Sequence, residues 1–223
     1  MTIKIYGSLV SRATRNLWML EELGVDYERI DLDWIKQENR SPDYLKINPA
    51  GQVPTLIDGD VTLSESLGIN LYLAQKFGAG VFWPDDDAGQ ARCIQWSVWA
   101  AGELEPAVYP RVYEFVFKKA EDRDDALIAK LAERTVPLLD LMEGALSASA
   151  YLVGDAFSVA DLNVAGVMEY LDRSDFDMAQ WPKTVAWYET TYGRAANQKV
   201  QDERAPVAEA MLESIVEHSQ SEG

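Results

Sequence analysis

Asn48-Pro49-Ala50-Gly51-Gln52-Val53-Pro54-Thr55-Leu56-Ile57-Asp58-Gly59-Asp60-Val61-Thr62-Leu63-Ser64-Glu65-Ser66 is the stretch that decides the fold. Its first seven residues are irregular and turn-rich, with Asn48, Pro49, Gly51 and Pro54 among them. Thr55-Leu56-Ile57 and Val61-Thr62-Leu63 flank Asp58-Gly59-Asp60 and predict a hairpin. Ser66 opens a helix to about Phe77, with Leu67, Ile69, Leu71 and Leu73 as its apolar residues. Upstream, Ile3 and Ile5 alternate in a short strand that ends at Gly7-Ser8. Arg12 to Leu23 reads as a helix with Leu17, Leu20 and Leu23 on one face and Gly24 as its stop. Tyr27 to Asp33 alternates again. Ser41-Pro42 starts a short helix, by serine capping and proline at the first position. The order over residues 1–77 is βαβ-α-ββ-α.

Residues 78–87 form a Gly- and Asp-rich connector containing Pro84, and a domain boundary is expected there. Beyond it the periodicity is helical, over about 88–119, 125–146, 158–171, 182–192 and 206–217. In the last of these, Val207, Met211 and Ile215 mark one face. Pro106, Pro110 and Pro137 should kink or break the helices that carry them. The expected organisation is an α/β domain over 1–77, a linker over 78–87 and an all-helical domain over 88–223.

Composition narrows the chemistry. One cysteine, Cys93, and one histidine, His218, exclude disulfide scaffolds, Cys-rich zinc sites and multi-His metal centres, so no metal site is expected. The net charge of −17 is uneven. Residues 1–77 hold 8 Lys and Arg against 11 Asp and Glu, whereas residues 78–223 hold 12 against 26. So acidic a surface repels phosphate backbones, and neither nucleic acid nor an anionic membrane is an expected partner. No apolar run nears the roughly 18 residues of a membrane span. The start of the chain lacks the build of a signal peptide, so a cytoplasmic location is expected.

Four segments then speak together. They are Tyr6-Gly7-Ser8 through Ser11-Arg12-Ala13-Thr14-Arg15 to Trp18-Met19-Leu20-Glu21-Glu22-Leu23-Gly24; Asn48 to Leu56; Leu63-Ser64-Glu65-Ser66 with Ile69-Asn70-Leu71-Tyr72-Leu73; and Phe157-Ser158-Val159-Ala160-Asp161-Leu162. In this order, along nearly the whole chain, they resemble the cytosolic glutathione S-transferase family. The Ser-Arg-Ala pattern looks most like its bacterial serine-type members. The resemblance implies a thioredoxin-like N-terminal domain that binds glutathione, a helical domain with a pocket for a hydrophobic co-substrate, and a homodimer. Glutathione is the implied co-substrate, with no further cofactor.

A thiol of pKa about 8.5 is only a few per cent thiolate at pH 7, and lowering that value by two units takes roughly 2.7 kcal/mol of thiolate stabilisation. A hydroxyl at a helix N-terminus can supply much of it. Ser11, just ahead of the first helix, is the expected catalytic hydroxyl; its structural alternative is helix capping. Tyr6 is the rival donor, or an ordinary packed strand residue, and Ser8 and Arg12 are lesser rivals. For Val53-Pro54, sequence alone favours a trans bond. The resemblance implies cis, with the Val53 backbone pairing the cysteinyl part of glutathione like an added strand. Ser66, at a helix start, suits the γ-glutamyl carboxylate, and Glu65 the ammonium. Gln52 is a backbone contact, and Arg40 and Lys46 are both candidates for the glycyl carboxylate. Tyr109 and Tyr113, one turn apart, are candidates for the edge of the electrophile pocket.

Ser158-Val159-Ala160-Asp161 reads as a capping box with Asp in the usual Glu position, a role in folding rather than catalysis. The absence of cysteine from residues 1–77 disfavours mixed-disulfide chemistry with glutathione there. Cys93 reads as a small buried hydrophobe and His218 as a solvated bystander. The expected function is conjugation of the glutathione thiolate to small hydrophobic electrophiles, in detoxification. Glutathione-dependent reduction of organic hydroperoxides, and a non-catalytic binding module, are the alternatives.

Five of the seven tryptophans lie beyond residue 77, which leaves aromatic surface for a second copy of the chain. Sedimentation at micromolar concentration in 0.15 M salt, where the acidic charge is screened, should therefore give the mass of a dimer. A monomer would defeat this expectation.

Overall fold

Ile3 and Ile5 are buried and Lys4 and Tyr6 half-buried, the alternation that the sequence predicts. The strand they form, β1 (Ile3–Tyr6), lies inside the sheet of the computed structural model, which describes residues 2–33 and 36–221, the last ten of them by backbone alone. After it come α1 (Ala13–Leu23), β2 (Tyr27–Ile30), α2 (Pro42–Ile47), β3 (Thr55–Asp58), β4 (Val61–Ser64) and α3 (Ser66–Phe77). The sheet order is β2-β1-β3-β4, with β1 parallel to β2, and with β3 antiparallel to both β1 and β4. This is the expected βαβ-α-ββ-α thioredoxin-like architecture. Leu17, Leu20, Leu56, Ile69 and Leu73 complete its core, all essentially without exposure.

Local chemistry sets the ends of these elements. Gly24 closes α1 in the left-handed region at φ 62°, and the Ser41 hydroxyl accepts the Tyr44 N–H at the start of α2. Strand β2 stops at Ile30, three residues short of the expected Asp33. There the Asp33 carboxylate takes the Lys36 N–H at 3.1 Å, and the Asp33 N–H goes to Glu38 at 2.8 Å, so local turn bonds replace the ladder.

The rear is helical: α4 (Asp87–Trp99), α5 (Glu105–Val116), α6 (Asp125–Ala148), α7 (Val159–Asp172), α8 (Pro182–Tyr192) and α9 (Ala195–Ser221). The single long helix expected over 88–119 is three pieces, because a π-helical turn over Ala100–Leu104 separates α4 from α5. Pro106, at the start of α5, has no N–H to give the Gly102 carbonyl, and the wider turn falls directly before it. Helices α5 and α6 continue through Pro110 and Pro137. The last helix begins at Ala195, well before the expected residue 206, and the side chains of Ile215 and His218 lie outside the described residues.

Two compact units result, Met1–Leu73 with Arg194–Gly223, and Ala74–Gly193. The division falls inside α3 rather than in the expected linker at 78–87, and α9 belongs to the first unit instead of the helical one. Glu21 and Glu22, near the C-terminal end of α1, supply the reason. Arg194 grips Glu22 through two bonds of 2.6 and 2.7 Å, and Lys199 meets Glu21 at 2.8 Å.

In the second unit α7 is buried from Val159 to Leu171 and is apolar on nearly every side. Its capping box is present: Ser158 N–H and Oγ–H both donate to Asp161 Oδ2 at 2.9 Å. Asp161 Oδ1 also accepts from the Leu152 N–H and the Trp187 indole, each at 2.9 Å. Burial pushes this carboxyl above its ordinary value, and the four donors oppose the push. Cys93 is fully buried, and burial pushes its thiol up, as suits an inert packing residue. Removal of the Asp161 carboxylate would strand three buried N–H groups. Asp161→Ala should therefore lower the unfolding free energy by about 3–5 kcal/mol in urea titration.

Candidate functional site

Gly7 is the joint of the site. It follows β1 at φ 142°, and a Cβ there would lie 2.7 Å from the Ala13 Cβ, 3.2 Å from Ser11 Oγ and 3.5 Å from the Val53 Cβ. Only a residue without a side chain lets the start of α1 and the loop before β3 meet the end of β1. Ser11 and Val53 are thereby brought together.

Ser11 sits one residue before the N-cap of α1, where the aligned peptide dipoles favour negative charge. Its hydroxyl donates to the Ser8 carbonyl at 2.7 Å and accepts the Ala13 N–H at 3.2 Å. The capping role is thus real, and it occupies one of the oxygen's two lone pairs rather than fixing the hydroxyl hydrogen, which can rotate. Tyr6 packs its ring 5.7 Å from that of Tyr44.

The Val53-Pro54 bond is cis, as the resemblance implies. Among the described residues, the N–H and C=O of Val53 make no hydrogen bond, so this loop carries an unpaired backbone edge. The Gln52 side chain is exposed, but its carbonyl accepts from the Tyr44 hydroxyl at 2.6 Å and from Asn48 Nδ2 at 2.9 Å.

Glu65 adopts φ 71° at the turn from β4 into α3, a left-handed conformation that costs a non-glycine residue about 1–3 kcal/mol. Its side chain is exposed, and Ser66 beside it is buried. The Arg15 guanidinium, 4% exposed, donates to Ser66 Oγ at 3.3 Å. Asn16 Nδ2 donates to the Ser66 carbonyl at 2.8 Å and to Asn70 Oδ1 at 2.7 Å, and Asn70 returns a bond to the Arg15 carbonyl at 3.2 Å. Arg15, Asn16, Asn70, Tyr44 and Asn48 were not singled out as site residues from the sequence. A signal existed for two of them: Asn16 shares the α1 stripe of Leu20 and Leu23, and Asn70 shares the α3 stripe of Leu67 and Leu73, so each is polar on an apolar face.

The two basic candidates separate. Arg40 lies against the loop, with Nη1 donating to the Ala50 carbonyl at 3.0 Å, whereas Lys46 turns to Asp43 at 2.7 Å. Tyr109 and Tyr113 belong to the second unit, exposed on α5. The Tyr109 ring is 5.2 Å from Tyr170, and the Tyr113 ring is 5.5 Å from Phe117. No group of three or more metal-ligating side chains occurs among the described residues, and none of their helices is long and apolar enough to cross a membrane.

Comparison with known proteins gives a consistent result. Residues 1–75 match the glutathione S-transferase N-terminal domain, and residues 104–195 the C-terminal domain. Glutathione S-transferase 3 of Zea mays is 32% identical over 204 residues, covering 88% of this chain and 92% of its own. Probable glutathione S-transferase GSTF2 of Oryza sativa is 32% identical over 212 residues, covering 92% and 99%. Among solved structures, glutathione transferase F7 from Populus trichocarpa superposes with a TM-score of 0.82 at 30% identity, over 90% of this chain and 98% of that one. The theta-class enzyme of Xanthomonas axonopodis pv. citri, solved with glutathione bound, gives 0.82 at 29%, over 89% and 96%. Both sequence relatives are plant proteins, and the narrower likeness to bacterial serine-type enzymes finds no support in them.

Because Ser11 Oγ takes the Ala13 N–H, Ser11→Ala should cost about 1 kcal/mol of stability, read as a small shift of the urea midpoint at unchanged slope.

Proposed function

The chain belongs to the glutathione S-transferase family, and from that premise we propose that Ser11 supplies the hydroxyl that holds the glutathione thiolate. The protein is a glutathione S-transferase, with glutathione as its co-substrate. The observation that carries the proposal is the position of Ser11 Oγ, next to Gly7, at the N-terminal end of α1 and close to the unpaired backbone edge of Val53. If the cysteinyl residue of glutathione pairs with that edge as an added strand, its sulfur falls on the side of the loop where Ser11 lies. The hydroxyl then donates to sulfur, and the helix terminus adds positive potential.

Ser66 and the adjoining N-terminus of α3 receive the γ-glutamyl carboxylate, with the buried Arg15 charge behind them, and Glu65 receives the ammonium. Arg40, already against the Ala50–Gly51 backbone, is favoured over Lys46 for the glycyl carboxylate. Gln52 and Pro54 contribute as the neighbours that flank the unpaired Val53 edge. Tyr109 and Tyr113 offer exposed aromatic faces to a small hydrophobic electrophile. The reaction is attack of the bound thiolate on the electrophilic centre, forming a thioether and expelling the leaving group or adding across an activated double bond. Ile94 and Val98, one turn apart on α4 and 47% and 63% exposed, support a homodimer. A cytoplasmic location accords with this role.

Ser11→Ala should raise the pKa of bound glutathione by one to two units and lower kcat/KM for conjugation near neutral pH about ten- to a hundred-fold. Tyr6→Phe should leave both within about two-fold. The opposite pattern in a thiolate titration would transfer the role to Tyr6.

A further inference from the structure

The peptide group joining Gln52 to Val53 is held from behind. It is trans, so its C=O and N–H point in opposite directions. The carbonyl points into the protein and accepts from Tyr44 and Asn48; the Val53 N–H therefore points away from them, along the free edge. Fixing one end of this plane fixes the other.

The protons around that carbonyl can all be assigned. Tyr44 has one hydroxyl hydrogen, which the 2.6 Å contact gives to the Gln52 carbonyl. At 2.8 Å from the same oxygen, Thr55 Oγ1 must then be the donor to Tyr44. Asn48 Nδ2 completes the ring by donating to Thr55 Oγ1 at 3.0 Å and to the Gln52 carbonyl at 2.9 Å. Tyr44, Asn48 and Thr55 are 3%, 6% and 0% exposed, so water does not compete for these bonds. Burial holds the Tyr44 phenol above its ordinary pKa, and it remains a donor across the working range. Two donors on an amide oxygen also polarise the amide and strengthen its N–H as a donor.

We infer that Tyr44 is a positioning residue for glutathione: through the Gln52–Val53 peptide plane it aims the Val53 N–H at the cysteinyl carbonyl of the tripeptide. The inference rests on the glutathione seat proposed above. It assigns Tyr44 to binding and not to the thiol, because the peptide plane meets the backbone of the ligand and not its sulfur.

The test pairs a variant with an altered ligand. Tyr44→Phe removes the hydroxyl alone. The ligand is glutathione with its cysteinyl–glycyl amide replaced by an alkene isostere, which loses the cysteinyl C=O and keeps the cysteinyl N–H. In calorimetric titration the unaltered enzyme should bind glutathione more tightly than the isostere. Tyr44→Phe should weaken glutathione about three- to ten-fold and leave the isostere unchanged, with the bound thiol pKa and saturating kcat unaltered. Thr55→Val, which takes away the donor to Tyr44, should repeat this selective loss at smaller size. Equal weakening of both ligands in either variant, or no weakening of glutathione, overturns the role of Tyr44. Equal affinity of the unaltered enzyme for the two ligands overturns the Val53 seat itself, a result distinct from the other two.

Discussion

The missing side chain of Gly7 is the constraint on which the first unit's site depends. Three segments distant in sequence, the end of β1, the start of α1 and the loop before β3, reach van der Waals contact around it. Each is set by a separate local cause: β1 by alternating isoleucines, α1 by its leucine stripe, the loop by its run of turn-formers. None of these causes brings the segments together. Close approach at Gly7 does so, because a methyl group there would overlap Ala13 and press on Ser11.

A second constraint acts at the far end of α1. Glu21 and Glu22 lie in its last turn, where the helix dipole disfavours negative charge, and no basic residue of α1 is near. The compensation comes from Arg194 and Lys199, more than 170 residues on. Glu22 also accepts the Trp18 indole at 3.0 Å, and Glu21 the Tyr27 hydroxyl at 3.0 Å, so both carboxylates are bonded on two sides. With the Glu22 side chain 6% exposed, the pairing with Arg194 is screened far less than a surface pair. This is why a helix that follows the helical unit in sequence packs with the α/β unit.

That packing explains what the sequence could and could not reveal. Features set by neighbours in the chain were legible: the Asp58-Gly59-Asp60 hairpin, the Ser41 cap, the Gly24 stop and the Ser158–Asp161 capping box. The proposed site also takes Ser11, Val53 and Ser66 from short segments that resemble the family. Interactions between distant residues were not legible. Arg15 and Ser66 are 51 residues apart, Asn16 and Asn70 are 54, and nothing in either stretch names the other. The same limit hid the place of α9, since Arg194 just before it and Lys199 within it lie at the opposite end of the chain from Glu22 and Glu21. The π-helical turn was hidden differently: Pro106 announces a fault in the helix, but not whether the backbone breaks or widens there.

The site also divides fixed groups from one movable proton. Tyr44, Asn48 and Thr55 leave the Gln52–Val53 plane no freedom, and Arg15 and Asn16 bind Ser66 on two sides. At Ser11 the oxygen is anchored by the Ala13 N–H, while the hydrogen rests on the Ser8 carbonyl. In the role proposed above for Ser11, a ligand sulfur competes with that carbonyl for the hydrogen. An uncharged thiol offers a weak acceptor and does not win it. A thiolate forms a charge-assisted bond roughly twice as strong as a neutral one, and does. On that proposal the Ser8 carbonyl makes the hydroxyl selective, the hydrogen turning toward sulfur only when sulfur is ionised. Because the ionised ligand alone gains the bond, the proposed exchange lowers the thiol pKa, and the thiol proton passes to solvent.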